Sequence, residues 1–251
     1  MNVIELRHIT KHFADAAPGE PPILQDINLV IAQGEFVAIM GPSGSGKSTL
    51  MNILGLLDVP STGEFFLDDQ LIATKKDSDL AKLRRDKIGF VFQSFNLLLR
   101  MTVVQNVEIP MIYTGVPART RRKRALELLD LVGIKDRAKS RPSKISGGQA
   151  QRAAIARALA NKPSLILADE PTGNLDTRSS KAVMDLLHEL HRSGTTIVMV
   201  THNPELAEQT DRTIHVRDGE IVESLKQQSM GKPSLRIQKP VRPVMKRSMG
   251  L

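Results

Sequence analysis

The sequence predicts an α/β domain built around a parallel sheet, and three observations support this prediction. Two short apolar runs, Glu35–Met40 and Ser164–Ala168, are typical of strands that are buried on both faces of such a sheet. A glycine-rich loop and a predicted helix, Lys47–Leu57, follow the first run and complete a βα unit. Strands and helices alternate at both ends of the chain, with a helix-rich insertion between them.

The elements before and after this unit follow from local patterns. Met1–Arg7 and Ile23–Ile31 are predicted strands, and Ala14–Pro22 between them contains three prolines and one glycine, which indicates a loop. Further along, Asp79–Lys87 is a predicted short helix, and Ile88–Phe92 is the strand that follows it.

The middle of the chain is predicted to be helical from Thr102 to Gly133, because apolar residues recur at helical spacing and Gly133 can end the helix. Another helix is predicted over Gly147–Ala160. The remaining predicted elements are a helix at Thr177–Arg192, a strand at Thr195–Val200, a short helix after Asn203-Pro204, and a hairpin of Thr213–Val216 and Glu220–Glu223 around Asp218-Gly219.

Composition excludes several classes of protein. The 251 residues include no cysteine, so disulfides, thiolate metal sites and cysteine nucleophiles are absent, and no apolar run is long enough to span a bilayer. The net charge is +8, but residues 226–251 hold seven basic residues and no acid, so 8 − 7 leaves +1 for the rest. We therefore expect one folded domain at 1–225, a basic, disordered tail at 226–251, no nucleic-acid partner and a cytosolic location.

A phosphate-binding loop is predicted where Gly41-Pro42-Ser43-Gly44-Ser45-Gly46-Lys47-Ser48 matches G-x-x-x-x-G-K-[ST]. Backbone N–H groups in such a loop face one anion, and the helix that follows adds its positive end. Lys47 is expected to reach the β- and γ-phosphates, and the Ser48 hydroxyl to bind Mg²⁺. The predicted nucleotide-binding residues here are Gly41, Ser43, Gly44, Ser45, Gly46, Lys47, Ser48 and Thr49.

Two carboxylates, Asp169 and Glu170, directly follow an apolar strand. Paired acids at this position are also common as helix caps, but beside a phosphate loop they favour magnesium and water chemistry. Asp169 is the expected magnesium ligand, because hard cations take oxygen ligands. Glu170 is the expected general base for an attacking water.

The segment Ile145-Ser146-Gly147-Gly148-Gln149 resembles the signature motif of ABC-transporter ATPases, and Ser146 precedes Asp169 by 23 residues. Four further positions resemble that family's sites: Phe13 the adenine-stacking aromatic, Gln93 the Q-loop glutamine, Asp176 the end of the D-loop, and His202 the switch histidine. Taken one at a time, Phe13 could be a core residue, Gln93 an ordinary loop residue and His202 a structural histidine.

The resemblance implies a P-loop NTPase core with a parallel sheet, an N-terminal antiparallel β-subdomain and a helical signature subdomain at about 94–160. It implies ATP hydrolysis with Mg²⁺, in a homodimer whose Ser146, Gly147, Gly148 and Gln149 contact the nucleotide of the opposite protomer. Lys47, Gln93, Glu170 and His202 are the implied catalytic residues, and Ser48, Gln93 and Asp169 the implied magnesium ligands. Phe13 and Asp176 are the remaining implied nucleotide contacts.

Local strings such as Leu50–Gly55 and Ala168–Asp176 resemble one branch, which includes macrolide-efflux, lipoprotein-releasing, cell-division and peptide-antibiotic-resistance ATPases. That resemblance implies a separate permease with four transmembrane helices and a large extracytoplasmic domain, and a peripheral location on the cytoplasmic face of the inner membrane. The alternative is a soluble ABC ATPase that acts on DNA or ribosomes.

The expected docking surface for a permease is the apolar segment Phe95–Met101 together with the helical insertion, and Phe95, Leu97, Leu98 and Leu99 follow Gln93 closely. The alternative is that these residues cover the core of the helical insertion. The basic run Arg119–Arg124 is either a solvated helix face or a contact for acidic lipid or an acidic partner.

Overall fold

The computed structural model describes residues 1–13, 20–72 and 76–226, so part of the predicted loop Ala14–Pro22 and nearly all of the predicted tail lie outside the described residues. Within this part of the chain, two sheets and a group of helices are present. The strands are β1 (Asn2–Lys11), β2 (Leu24–Ala32), β3 (Phe36–Met40), β4 (Thr62–Leu67), β5 (Gln70–Leu71), β6 (Ile88–Val91), β7 (Leu165–Asp169), β8 (Thr196–Val200), β9 (Arg212–Arg217) and β10 (Glu220–Lys226). The helices are α1 (Lys47–Leu54), α2 (Asp77–Lys87), α3 (Val103–Tyr113), α4 (Ala118–Leu131), α5 (Gly147–Ala158), α6 (Thr177–Arg192) and α7 (Pro204–Ala207).

The larger sheet has six strands in the order β10-β9-β3-β8-β7-β6. Strands β9, β3, β8, β7 and β6 run parallel to one another, and only β10 is antiparallel to its neighbour. The carboxyl ends of β3, β6, β7 and β8 therefore meet at one edge, which is where open α/β sheets bind ligands. The predicted parallel sheet is confirmed.

The smaller sheet is antiparallel, in the order β2-β1-β4-β5. Its strands β4 and β5 were not predicted, although a signal exists in the sequence. Phe65 and Leu67 alternate with less buried residues, and Asp68-Asp69 form a tight turn with φ of 48° and 59°. Two consecutive residues with positive φ are typical of a two-residue hairpin turn.

Two hydrophobic cores lie on opposite faces of the six-stranded sheet. Alternate residues of each parallel strand enter opposite cores, as in β3, where Ala38 packs in one and Ile39 in the other. The first core also contains buried residues of α3, α4, α5 and α6, whereas the second contains those of α1 and the small sheet. The sheet is thus covered on both faces, which fixes the positions of the loops at its edge.

Helix α6 begins and ends where the sequence predicts. Asp176 caps its start, and Val183, Leu187 and Leu190 place apolar side chains on its buried face. The stretch Thr102–Gly133 is helical as predicted and contains two helices, since Gly115 (φ 73°) and Pro117 separate α3 from α4. Among the described residues, none of the helices combines the length and the apolar character required to cross a membrane.

Candidate nucleotide site

The phosphate loop connects β3 to α1 and leaves the start of that helix open. Gly46 precedes α1 with a φ of 98°, a conformation that a residue with a side chain adopts only with strain. A Cβ at Gly46 would also lie 2.8 Å from Leu24 Cδ2. Among the residues that the structure describes, no side chain caps α1, and its first turn carries no acidic residue, so the N–H groups there are available to an anion.

Lys47 lies at the first position of α1, and its ammonium folds back over the loop. Lys47 Nζ donates a hydrogen bond to the carbonyl of Pro42 at 2.6 Å. The contact holds the charged group against the phosphate loop itself. Ser48, the next residue, has an exposed side chain, so its hydroxyl is accessible at the N-terminal end of α1.

Asp169 and Glu170 end β7 at the same edge of the sheet. Burial, followed by the neighbouring charge of Glu170, raises the pKa of the Asp169 carboxyl. Among the described residues, neither a lysine nor an arginine forms an ion pair with Asp169. Glu170 itself has a left-handed φ of 42°, and its N–H donates to Val200 O of the neighbouring strand at 2.9 Å.

Glu170 and His202 contact each other directly across the ends of β7 and β8. The carboxylate Oε1 accepts the backbone N–H of His202 at 2.9 Å and lies 2.7 Å from the ring Nδ1. Because a carboxylate only accepts, Nδ1 is the donor in this contact. Thr201 Oγ1 adds a bond to Glu170 Oε2 at 3.3 Å. The structure thus brings the predicted base and the predicted phosphate-binding histidine together.

Gln93 follows β6 and faces the segment after Glu170. Its Nε2 donates to Asn174 Oδ1 at 3.2 Å, and Asn174 Nδ2 donates to Gln93 O at the same distance. The amide oxygen of Gln93 accepts no hydrogen bond from the described residues. A Cβ at Gly173 would lie 2.7 Å from Gln93 Nε2, so this loop and the Gln93 loop are in close contact.

Asp176 ends the loop after Glu170 and caps α6. Its two carboxylate oxygens accept the N–H of Ser179 at 2.9 Å and the hydroxyl of Ser179 at 2.7 Å. These hydrogen bonds lower the pKa of Asp176. In this protomer the carboxylate is therefore engaged in capping a helix.

The segment Ser146–Gln149 begins α5 with a closed cap. Ser146 Oγ accepts the N–H of Gln149 at 3.2 Å, and Gln149 Oε1 accepts the N–H of Ser146 at 3.0 Å. Gly148 is buried against α6, where an added Cβ would lie 2.7 Å from Ser179 Oγ. Ser146 and Gly147 remain exposed at the tip of the helix.

Comparisons with known proteins agree with this geometry. A family model described as "ABC transporter" matches residues 24–173. The chain belongs to the ABC transporter family. It is 56% identical over 220 residues to the uncharacterized ABC transporter ATP-binding protein YvrO of Bacillus subtilis (strain 168), a match that covers 88% of this chain and 96% of that relative.

A second relative is the macrolide export ATP-binding/permease protein MacB of Brucella melitensis biotype 1, with 51% identity over 216 residues. That match covers 86% of this chain but 33% of MacB, so the chain spans about a third of the length of MacB. Among solved structures, the ATP-binding cassette MJ0796, a dimer in a post-hydrolysis state bound to ADP and Pi, matches with a TM-score of 0.81 and 45% identity over 90% of this chain and 99% of that one. The predicted ABC ATPase fold and the ATPase activity are confirmed.

In this ABC ATPase the residues predicted to hold Mg²⁺ fit such an ion. Mg²⁺ takes oxygen ligands, keeps several of its waters, and needs only one or two protein groups beside the phosphates. Asp169 supplies a carboxylate whose raised pKa a divalent cation would lower again. Ser48 supplies an exposed hydroxyl at the start of α1, and Gln93 supplies an amide oxygen after β6, the strand beside β7.

Phe13, the predicted adenine-stacking residue, is not a core residue, since 57% of it is exposed. It follows β1, just before a segment outside the described residues. An exposed aromatic ring face is what base stacking requires. The contact with adenine itself stays a prediction.

The predicted docking segment Phe95–Met101 is divided between core and surface. Leu97 is 9% exposed and packs with α3, and Phe95 is partly buried, whereas Leu98 and Leu99 are 53% and 68% exposed. The four residues therefore do not form one apolar patch. Chain geometry decides this, because the loop turns at Phe95 and Asn96, which both have left-handed φ.

A cleft of about 780 Å³, which the sequence analysis did not find, lies beside that segment between the core and the helical insertion. It is lined by apolar and basic residues, which include Leu57, Arg85, Phe90, Phe92, Ile109, Tyr113 and Arg157. These residues come from α2, β6, α3, α5 and two loops, so no local pattern marks them. Arg122 in the basic run is paired with the buried Glu108 of α3 at 3.2 Å, so its charge is engaged within the helical insertion.

Proposed function

We propose that this ABC ATPase is the ATP-hydrolysing subunit of an export or mechanotransmission complex, in which two copies close over two magnesium nucleotides and drive a separate permease. The proposal rests mainly on one observation. The loops that carry Lys47, Asp169, Glu170 and His202 all lie at the same edge of the six-stranded sheet. The MacB relatives, which are named as macrolide export ATP-binding/permease proteins, support the export direction.

Nucleotide binding rests on α1. The open amides of its first turn and the Lys47 ammonium would hold the phosphate oxygens, with Phe13 against the base. Ser48, Asp169 and Gln93 would hold Mg²⁺, which supplies charge neutralisation at the phosphates when bound. On phosphate binding, Lys47 exchanges its bond to Pro42 O for a phosphate oxygen.

Hydrolysis requires a group that removes a proton from water, and Glu170 is the candidate base. Its Oε1 is occupied by two donors from His202, so Oε2 is the atom with the capacity to accept the proton. His202 can donate Nδ1–H to Glu170 and Nε2–H to a phosphate oxygen together only as an imidazolium. As a neutral ring it must leave Glu170 before it can donate from Nδ1 to phosphate.

The dimer is proposed because one protomer presents two different helix ends. The start of α1 is open for the phosphates of its own nucleotide, whereas the exposed tip of α5 at Ser146 and Gly147 faces outward. The two MJ0796 structures are described as dimeric and share 45% and 46% identity with this chain. In the proposed dimer, Ser146, Gly147, Gly148 and Gln149 of one copy contact the nucleotide of the other.

The permease is proposed to dock in the cleft beside the Gln93 loop. The cleft has aromatic and aliphatic walls, and the exposed ring of Tyr113 adds apolar surface to its lining. A four-helix permease with a large extracytoplasmic domain would place this ATPase on the cytoplasmic face of the membrane. The relatives named above are transporter proteins, so the DNA- or ribosome-acting alternative gains no support from them.

The test is the variant Glu170→Gln, which keeps the shape of the side chain and removes the base. We expect steady-state ATP hydrolysis to fall by about 100-fold or more, since general bases contribute roughly 10²–10⁴ to rate. Nucleotide binding should remain, and size-exclusion chromatography with ATP should show a stable dimer. The exposed residue Glu189 offers a matched control, Glu189→Gln, with the wild-type rate. A wild-type rate in Glu170→Gln refutes the base, and a monomer with bound ATP refutes the dimer.

A further inference from the structure

Arg157 of α5 holds the loop that follows Gln93. Its guanidinium donates from Nη2 to Phe95 O at 2.9 Å and from Nη1 to Asn96 O. Both carbonyls belong to residues with left-handed φ, 60° at Phe95 and 50° at Asn96. Phenylalanine rarely adopts this conformation, so a contact from outside the loop is needed to maintain it.

No other partner accounts for the position of Arg157. Among the described residues, no carboxylate forms an ion pair with it, and burial lowers the pKa of its guanidinium. Burying a cation is unfavourable unless hydrogen bonds replace its water. The two loop carbonyls are the groups that replace that water here.

The loop also contacts α5 near its start and α3 at its other end. A Cβ at Gly147 would lie 3.6 Å from Phe95 Cζ, so the ring packs beside the tip of α5. Asn106 of α3, fully buried, accepts the N–H of Leu98 at 2.7 Å and donates to Leu98 O at 3.2 Å. Arg157 therefore fixes the half of the loop nearest Gln93, and Asn106 fixes the other half.

Arg157 further lines the cleft together with Phe92 and Asn96. Arg157 thus belongs to α5, the helix that begins after Ser146. Its guanidinium binds the loop that follows Gln93 and forms part of the wall of the cleft. Any displacement of α5 relative to the sheet is passed to the Gln93 loop through two hydrogen bonds rather than through loose packing.

We propose that Arg157 is a positioning residue, which sets the orientation of Gln93 and makes the Gln93 loop and α5 move together. The proposal rests on the proposed role of Gln93 at the nucleotide. It assigns to Arg157 an effect on turnover without any contact to nucleotide.

The experiment uses the absence of cysteine in the chain. Ser94→Cys, at an exposed position beside Gln93, is labelled with a nitroxide, and its mobility is measured without nucleotide in the Arg157 and Arg157→Gln backgrounds. We expect a restricted label with Arg157 and a mobile one with Arg157→Gln. In unlabelled protein, kcat should fall about tenfold or more, because small misplacements of positioning groups have effects of this size, with less than about a twofold change in KM.

Arg157→Lys is the second variant, since an ammonium can reach one carbonyl but cannot span two. We expect label mobility and kcat between those of the other two proteins, which a loss of folding alone would not produce. The matched control is Arg121→Gln, because Arg121 is a half-buried arginine of the helical insertion whose Nη1 donates to Val116 O at 3.3 Å, away from the loop. It should keep the restricted label and the wild-type kcat.

Three outcomes overturn the proposal. The label stays restricted in Arg157→Gln, or it becomes mobile while kcat is unchanged, or kcat falls equally in Arg157→Gln and Arg121→Gln in parallel with their melting temperatures. If wild-type protein hydrolyses no ATP, the proposed function fails instead. The label measurement, which needs no nucleotide, would still decide whether Arg157 holds the loop.

Discussion

Helices α1 and α5 both begin in segments rich in glycine and serine, yet their first turns differ. Before α1, Gly46 has a left-handed φ and no side chain caps the helix. Before α5, Ser146 and Gln149 form a reciprocal cap that occupies two backbone N–H groups. The same kinds of residues thus produce one helix end that is open to a ligand and one that is closed by its own side chains.

The comparison has an energetic meaning. A cap stabilises a helix by about 1 kcal/mol, and α1 lacks this contribution in the free protein. A bound anion can supply it, so binding at α1 satisfies groups that are unpaired beforehand. At α5 the backbone N–H of Gln149 already donates to the hydroxyl oxygen of Ser146. A phosphate oxygen at this helix end must therefore share that N–H with the hydroxyl or replace the hydroxyl as its acceptor. We infer that α1 determines nucleotide affinity and α5 determines turnover.

The largest expected effect is on the open helix end. Lys47→Ala removes the ammonium above the phosphate loop, and we expect nucleotide affinity to fall on the order of 100-fold, which is about 2.8 kcal/mol. The thermal midpoint of the nucleotide-free protein should barely change, because Lys47 has one backbone contact. Isothermal titration calorimetry with ATP and Mg²⁺ measures the affinity.

The control for Lys47→Ala is Lys181→Ala, which removes a lysine paired with Asp185 at 2.8 Å on the exposed face of α6. It changes the net charge equally and should leave nucleotide affinity unaltered. Equal losses of affinity in both variants would mean that overall charge, rather than the helix end, attracts the nucleotide.

A smaller effect is expected at the closed helix end. Ser146→Ala removes the cap of α5, and we expect about 1 kcal/mol lower stability toward urea and about tenfold slower ATP turnover, with unchanged ATP affinity. Thr102→Ala is a matched control, because Thr102 caps α3 in the same reciprocal manner with Gln105. It should lose similar stability but no turnover. If the two variants lose turnover equally, Ser146 is only a helix cap.

The smallest expected effect concerns Asp169, whose pKa is raised by burial and by Glu170. Because the pKa is higher in the folded than in the unfolded state, the ionised form opposes folding, and stability falls as pH rises through the folded pKa. Asp169→Asn should therefore raise the melting temperature of the nucleotide-free protein at pH 7.5, with a smaller gain in mild acid. Calorimetric melting at several pH values measures this. A gain that grows toward acid would contradict the assigned cause.

Sequence reasoning identified what local patterns encode. The phosphate loop, the acidic pair after β7 and the amphipathic pattern of α6 are each contained in a short stretch. The structure places the first two at one edge of the sheet and packs α6 against one of its faces. Strand β5 was missed because it has two residues, and β4 because its alternation is short. The Glu170–His202 contact at 2.7 Å could be expected only from the resemblance.

Long-range contacts explain the other misses. In the sequence, Arg157 is a single charged residue in an alanine-rich helix. Its two hydrogen-bond acceptors are backbone carbonyls about 60 residues earlier, and every residue has such a carbonyl, so the sequence does not mark them. The cleft likewise exists only when α2, β6, α3 and α5 are assembled. Backbone acceptors and concave surfaces depend on the tertiary arrangement, so a single sequence does not show them.

The strand order has a consequence for how the protein is made. Strand β3, which leads into the phosphate loop, has β8 and β9 as its neighbours in the sheet. Phe36 of β3 pairs with Ile197 of β8, so this pairing cannot form until β8 has been synthesised. About 160 residues separate Phe36 from Ile197, and all of them must be synthesised before the strand that leads into the phosphate loop gains this neighbour. Until then the apolar strand β3 has no partner strand in the nascent polypeptide. If translation stopped in this interval, the exposed strand could bind chaperones or aggregate.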